Sequence, residues 1–283
     1  MPEIRLTGGD LDGIDMHYVE AGRGPATILI HGLGGFAEAW RRTTAELGRA
    51  GRVIAIDLPG FGASSRPGGA RDLEFFARAV RGFIDGLGLP RVHLVGHSLG
   101  GAVAMAGAAL LPERVERVAL LGACVPGFGF RPSLLFRALL LPGLGEILAS
   151  CITPRLCHAS VARCQVRPDA EEVAFFVGYR YAERTAPAAR AAYLGAIRAL
   201  RRDFTSGASA WRRVIRGVRH PVLLVHGRGD PVVRVAHAEQ LAAALSNAET
   251  CFLDDCGHFP QVEHPVVVAE RLADFLSART GSR

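Results

Sequence analysis

The apolar positions of the chain fall into short, dense blocks separated by longer amphipathic stretches. Thr27-Ile28-Leu29-Ile30, Arg52-Val53-Ile54-Ala55-Ile56-Asp57, Val92-His93-Leu94-Val95, Val115 to Leu121 and Val222-Leu223-Leu224-Val225 show little alternation. That is the pattern of strands buried on both faces. Ile4 to Thr7, Ile14 to Glu20 (alternating Ile14, Met16, Tyr18) and Glu249 to Leu253 are predicted as further strands, with Asp12-Gly13 as a tight turn between the first two. Helical patterns cover Glu38 to Ala50, the Ala-rich stretch after Ser98, Val235 to Leu245 and Val266 to Leu276. Another helix follows Asp72, its expected N-cap, and puts Phe75, Phe76, Ala79, Phe83 and Ile84 along one face. Strands alternating with helices predict a mostly parallel sheet covered on both faces. The alternation stops at Pro126 and resumes at Val222. From Pro126 to about Thr205 the chain is apolar, helix-prone and punctuated by Pro132, Pro142, Pro154, Pro168 and Pro187, without a convincing strand. The expectation is an α/β core of residues 1–125 and 206–283 carrying a helical insertion at 126–205.

Size and composition agree with a soluble globular protein: 283 residues, 49% hydrophobic and 21% charged. Early acids at Glu3, Asp10, Asp12 and Asp15 disfavour a secretion leader, and no apolar run approaches the roughly 20 residues needed to span a bilayer. A cytoplasmic location is expected. The net charge of +6 is unevenly placed, because Pro126 to Arg219 holds fifteen arginines against six acids, an excess of +9. There is no lysine, which points to a compositional bias of the source. No nucleic-acid-binding module accompanies the arginines, so no nucleic-acid partner is expected; solvated helix faces are the favoured account, with weak attraction to anionic substrates or membrane surfaces as the remainder. Six cysteines show no CxxC spacing, which disfavours zinc. Reduced thiols are the default, although Cys151, Cys157 and Cys164 lie close enough along the chain for one bridge.

The chemistry concentrates where apolar blocks end. The apolar run that opens at Val92 leads into Gly96-x-Ser98-x-Gly100 and then an Ala-rich helix. A strand turning this sharply into a helix crowds its own backbone, so the flanking positions must lack bulk, and the corner serine projects its Oγ outward. The helix N-terminus behind it favours negative charge there. Three other strand ends are equally loaded: His31-Gly32-Leu33-Gly34, Gly227-Arg228-Gly229-Asp230 and Cys256-Gly257-His258. In open parallel sheets, functional groups collect at the carboxyl ends of strands. The glycine spacing does not make a dinucleotide fingerprint, so neither NAD, FAD nor any other cofactor is expected.

These motifs resemble the α/β-hydrolase fold family over nearly the whole chain. The order Ser98, Asp230, His258 is that family's nucleophile, acid and base order. A serine hydroxyl is a weak nucleophile at neutral pH and needs a base, here His258. Asp230 would hold the imidazole tautomer and stabilise the imidazolium. The rival acid position after Leu121 holds Gly122-Ala123-Cys124-Val125 and offers no carboxylate, and Asp254 and Asp255 are too close to His258 in the chain. The resemblance implies an oxyanion hole from the backbone N–H groups of Leu99 and Leu33, with Gly34 the near alternative to Leu33. His31 is read as bracing that loop, His97 as a supporting residue, and Asp57 as structural.

The resemblance also implies that residues 126–205 form a cap over Ser98. Phe128, Phe130, Leu134, Leu135, Phe136, Leu139, Leu140, Leu141, Phe175 and Phe176 are its candidate lining, most of them expected to pack helices together and a minority to meet substrate. Dehalogenases and epoxide hydrolases of the family carry aspartate in place of Ser98. Carbon–carbon bond hydrolases of ring-cleavage pathways use a similar triad and cap, usually with Asn before the serine and a Gly-Pro-bearing oxyanion loop; this chain has His97 and Leu33-Gly34-Gly35 instead. The reading is a serine esterase that cleaves small-to-medium apolar esters through an acyl-enzyme. The alternatives are a carbon–carbon bond hydrolase, a perhydrolase or an acyltransferase with the same triad, or a catalytically quiet ligand receptor.

Overall fold

The structure is a computed structural model, which describes residues 2–69 and 71–278. Eight strands form one sheet: β1 (Glu3–Arg5), β2 (Asp15–Ala21), β3 (Ala26–Ile30), β4 (Arg52–Ile56), β5 (Val92–His97), β6 (Val115–Leu121), β7 (Val222–Gly227) and β8 (Ala248–Leu253). Their order is β1-β2-β4-β3-β5-β6-β7-β8. β1 and β2 run antiparallel to their neighbours, and the other six strands are parallel to one another. The chain reverses its direction of travel at β3, which has β4 on one side and β5 on the other. The loops leaving β3 and β5 therefore diverge and open a crevice between them.

Helices α1 (Arg41–Leu47), α2 (Leu73–Gly86) and α3 (Leu99–Leu110) belong to the first half of the sheet, and α10 (Val235–Ala244), α11 (Pro260–Glu263) and α12 (Pro265–Ser277) to the second. Six helices lie between β6 and β7: α4 (Leu134–Leu139), α5 (Leu144–Ser150), α6 (Pro154–Ala162), α7 (Ala170–Thr185), α8 (Pro187–Phe204) and α9 (Ala208–Arg216). Successive strand residues serve opposite layers. Ile28, Ile30, Ile54 and Ile56 join the core that includes Phe76 and Phe83 of α2 and Val103 of α3, whereas Leu29, Val53 and Ala55 pack toward Leu47 of α1 and Leu272 of α12. Both sheet faces are thus buried, as continuous apolar runs demand. Asp72 caps α2, its side chain accepting from Phe75 N at 2.9 Å.

Two local expectations need correction. The β1–β2 connection is not a two-residue turn at Asp12-Gly13. It closes through Leu6 N–H to Ile14 O and Gly13 N–H to Leu6 O, with a 3₁₀ turn at Gly9–Leu11 between them. Burial of Leu11 draws that loop onto the core, and this outweighs the local turn preference. The helix expected from Glu38 to Ala50 is a 3₁₀ turn at Ala37–Trp40 followed by the shorter α1. Asp57 Oδ1 takes the Ala37 N–H at 2.6 Å, so the first turn is pinned to the end of β4 and not wound into the helix. All six cysteines are free, so no bridge joins Cys151, Cys157 and Cys164.

Candidate active site

Ser98 stands at the end of β5 with φ 53° and ψ −118°, and among the described residues no other non-glycine has positive φ. Such a conformation costs about 1–3 kcal/mol and persists only where the surroundings enforce it. Here they do. A Cβ on Gly96 would lie 2.1 Å from Gly100 O, and one on Gly100 would lie 2.2 Å from Ile30 O. Only glycine permits strand, corner and helix to close this tightly.

The structure brings the three side chains singled out from sequence into one chain of hydrogen bonds. Ser98 Oγ lies 3.1 Å from His258 Nε2, and His258 Nδ1 lies 2.8 Å from Asp230 Oδ2. A carboxylate only accepts, so Nδ1 carries the proton and Nε2 faces the hydroxyl as an acceptor. The other Asp230 oxygen accepts from Val232 N at 2.7 Å and Val233 N at 2.9 Å, which fixes the carboxylate plane. Burial pushes the Asp230 carboxyl up, but the adjacent His258 and the Val233 N–H outweigh it and hold the group below its usual value. His226 donates Nε2–H to Val233 O at 2.7 Å, and burial keeps its ring neutral by lowering its pKa.

The loop after β3 presses directly on the corner: a Cβ on Gly32 would meet Ser98 Cβ at 2.9 Å. His31 bridges this loop to the next one, donating Nδ1–H to Gly32 O at 2.7 Å and accepting from Leu58 N at 3.0 Å. Among the described residues no backbone carbonyl accepts the N–H of Leu33 or of Leu99. Asp57 is the anchor of the same loops, since its carboxylate accepts from Ala37 N, Ala63 N at 2.8 Å and His17 Nδ1 at 2.8 Å. His97 donates Nε2–H to His258 O at 2.7 Å. Its burial, reinforced by His258, lowers its pKa to about 3, so it supports the His258 loop as a neutral ring.

Two residues that the sequence reading passed over matter to this geometry. Glu263 holds the His258 loop: its carboxylate accepts from Gly257 N at 3.0 Å and Phe259 N at 3.3 Å, on either side of the histidine. It also accepts from Val166 N at 2.8 Å, and His258 N–H donates to Cys164 O at 2.7 Å, so the segment between α6 and α7 is tied to the same loop. The second residue is Arg180, which lines the cavity above Ser98 one helical turn after Phe176. Among the described residues it forms no ion pair with a carboxylate, and burial, reinforced by Arg184, lowers its pKa from the ordinary value. A sequence signal existed for Arg180 in its i, i+4 spacing from Phe176; for Glu263 it was only an acid in the first turn after the histidine.

That cavity has a volume of about 320 Å³ and is walled largely by apolar side chains of the segment between β6 and β7, including Phe136, Leu140, Phe176, Ile197 and Leu200. Of the ten apolar positions named from sequence in this segment, Phe130, Phe136, Leu140 and Phe176 line it. Phe128 is buried elsewhere, and Leu134, Leu135 and Leu141 point to solvent. Among the described residues no group of three or more His, Cys, Asp or Glu is placed to hold a metal ion, and no helix is long and apolar enough to cross a membrane.

A hydroxyl in line with an imidazole and a carboxylate, beneath a largely apolar cavity on a doubly wound sheet, can be activated for attack on a carbonyl carbon. This defines the class as an α/β-fold hydrolase. Residues 25–265 match the family model of the alpha/beta hydrolase fold, and the chain belongs to that family. It is 30% identical over 280 residues to the 2-hydroxy-6-oxo-2,4-heptadienoate hydrolase of Pseudomonas putida, covering 94% of each chain. It is 29% identical to the 2-hydroxymuconate semialdehyde hydrolase of a Pseudomonas species, over 94% of this chain and 91% of that one. Among solved structures it resembles the meta-cleavage product hydrolase of Pseudomonas fluorescens, with a TM-score of 0.81, 26% identity and coverage of 98% and 97%.

Proposed function

We propose that this hydrolase cleaves a carbon–carbon bond next to a ketone in a substrate that also carries a carboxylate, of the 2-hydroxy-6-oxo-dienoate class. Ser98, His258 and Asp230 supply the chemistry, Leu33 and Leu99 N–H the oxyanion hole, and residues 126–205 the cap. The observation that carries the reading is Arg180, a guanidinium lining the cavity above Ser98 with no carboxylate partner among the described residues. A small neutral ester gives such a group nothing to bind, whereas a dienoate carboxylate gives it a charge-assisted partner. The whole-length likeness to hydrolases of that substrate class supports the same choice. The ester reading taken from sequence therefore gives way to its carbon–carbon alternative.

Breaking a carbon–carbon bond requires that the departing carbon hold an electron pair. In a 2-hydroxy-6-oxo-dienoate, moving the 2-hydroxyl proton to carbon 5 creates a 2-ketone conjugated through the remaining double bond. Attack at carbon 6 then releases carbon 5 as a delocalised dienolate. Water supplies hydroxyl to carbon 6 and a proton to the leaving fragment, giving a carboxylic acid and a 2-hydroxydienoate. His258 is placed to take the proton from Ser98 Oγ and return it. The N–H groups of Leu33 and Leu99 receive the oxyanion at carbon 6. His97 and the Leu33-Gly34-Gly35 loop differ from the residues usual in such hydrolases. His97 spends its donor on the His258 loop, a supporting role that serves either reaction.

The test is direct. A purified sample mixed with a 2-hydroxy-6-oxo-dienoate should bleach its dienolate absorbance, with equimolar acid and hydroxydienoate formed, and Ser98→Ala should abolish product. Turnover of simple esters with no loss of the dienoate would remove the proposal.

A further inference from the structure

α4 has no buried residue, yet its Phe136 lines the cavity. Phe136 and Leu140 turn inward, while Leu134 and Leu135 turn out, 80% and 64% exposed. The exposed aliphatic surface continues along the chain through Leu141, Leu144 and Ile147, at 54%, 42% and 61%. Five large aliphatic side chains in fourteen residues, all facing solvent, form a patch that a water-facing surface does not explain. The unpaired charges on this stretch are of one sign. Between residues 126 and 150 the only acid is Glu146, and Arg198 neutralises it through two bonds of 2.6 and 2.9 Å. Among the described residues, Arg131 and Arg137 on the same stretch, and Arg201 at the cavity wall, face no carboxylate.

We propose that residues 131–147 dock on an anionic lipid surface, with the exposed leucines entering the headgroup boundary and the arginines meeting the phosphates. An apolar strip flanked by unpaired cations and no free acid is the composition of an interfacial helix. The occupant follows from charge. Two copies would bring together segments that each carry an excess of +9 between Pro126 and Arg219, whereas an anionic surface complements them. The placement bears on the site, because the helix that touches lipid is also the one whose Phe136 lines the cavity.

Co-sedimentation with extruded vesicles tests this without reference to any activity, so its failure is separate from a failure of the proposed reaction. The probes are phosphatidylcholine vesicles and vesicles containing roughly one third phosphatidylglycerol, at physiological and high ionic strength. Binding is expected to the anionic vesicles alone and to fall with salt. The double variant Leu134→Ser/Leu135→Ser and the double variant Arg131→Gln/Arg137→Gln should each weaken partition by about tenfold or more. Both pairs are surface side chains, so melting temperature and turnover of a soluble substrate should stay as in wild type. Equal sedimentation with both vesicle types, or with neither, would overturn the proposal. So would light scattering that shows a dimer dissolved by Leu134→Ser/Leu135→Ser, since a second copy would then be what covers the patch.

Discussion

Removing the Glu263 carboxylate should loosen His258 without touching it. In Glu263→Ala, the N–H groups of Gly257, Phe259 and Val166 lose their acceptor at once. A hydrogen bond to a charged group contributes about 1.5–3 kcal/mol when well formed. Glu263 is half-buried, its Phe259 bond is long, and water reaches part of the site, so the three together should be discounted to about 2–4 kcal/mol. For a chain of this size that is a fall in melting temperature of about 5–12 °C. The effect on catalysis follows from geometry. The Ser98 to His258 bond is 3.1 Å, and a displacement of order 1 Å at such a contact costs about 100-fold. kcat should fall about 10- to 100-fold, with KM changed much less because Glu263 does not line the cavity. Glu263→Gln keeps one acceptor oxygen but turns an NH₂ toward a donor, and should give intermediate values. The assay is steady-state turnover of a dienoate substrate well below the melting temperature of both variants, beside a thermal melt. A Glu263→Ala enzyme with kcat within twofold of wild type would refute the reasoning, because the His258 loop would then be held by something else.

Asp230→Asn should keep one oxygen for Val232 and Val233 N–H but present an NH₂ or the wrong tautomer to His258; kcat should drop about 10³- to 10⁴-fold, with only a small change in melting temperature. Arg180→Gln should raise KM at least about tenfold for a carboxylate-bearing dienoate and leave a neutral p-nitrophenyl ester unaffected; equal effects on both would count against a carboxylate site. Buried neutral histidines make the fold acid-sensitive. His97 and His237 have folded pKa values lowered by burial to about 3 and about 4 from 6.5, so the unfolded chain binds protons first and stability declines as pH drops below 6.5. Each contributes a loss of about 1.4 kcal/mol per pH unit in that window. His17, raised by its bond to Asp57, gains its protonation-linked stability as pH falls toward 6.5, so it leaves the decline below that pH unchanged. Urea midpoints at pH 6.5 and 5 check this; an unchanged midpoint would contradict it.

Much of the framework is legible along the chain because its signals are local. Buried parallel strands announce themselves as unbroken apolar runs, and Ser98 and Asp230 each stand just past one, whereas His258 follows the half-exposed edge strand β8. That the three meet is a consequence of strand order: β5, β6, β7 and β8 lie side by side, so their carboxyl ends share one edge. What escapes a sequence reading is whatever depends on the phase of a helix or on a contact between distant loops. Leu134 and Phe136 are equally apolar, yet one faces solvent and the other the cavity, because the position of α4 over the crevice decides which side is covered. Arg180 is one of fifteen arginines between Pro126 and Arg219, and only the fold turns it inward. Glu263 also holds Val166, nearly a hundred residues away, a tie that no local pattern foreshadows. The tight turn at Asp12-Gly13 failed for a related reason, since burial of Leu11 decided the loop.

Whether this site breaks carbon–carbon bonds is tested most directly by one ratio. With a single purified sample, kcat/KM is measured for a 2-hydroxy-6-oxo-dienoate and for a p-nitrophenyl ester of similar size. Preference for the dienoate by at least about 100-fold, lost selectively in Arg180→Gln, is the predicted result. A ratio at or below one, unchanged by that substitution, would contradict the account and return the site to ester chemistry.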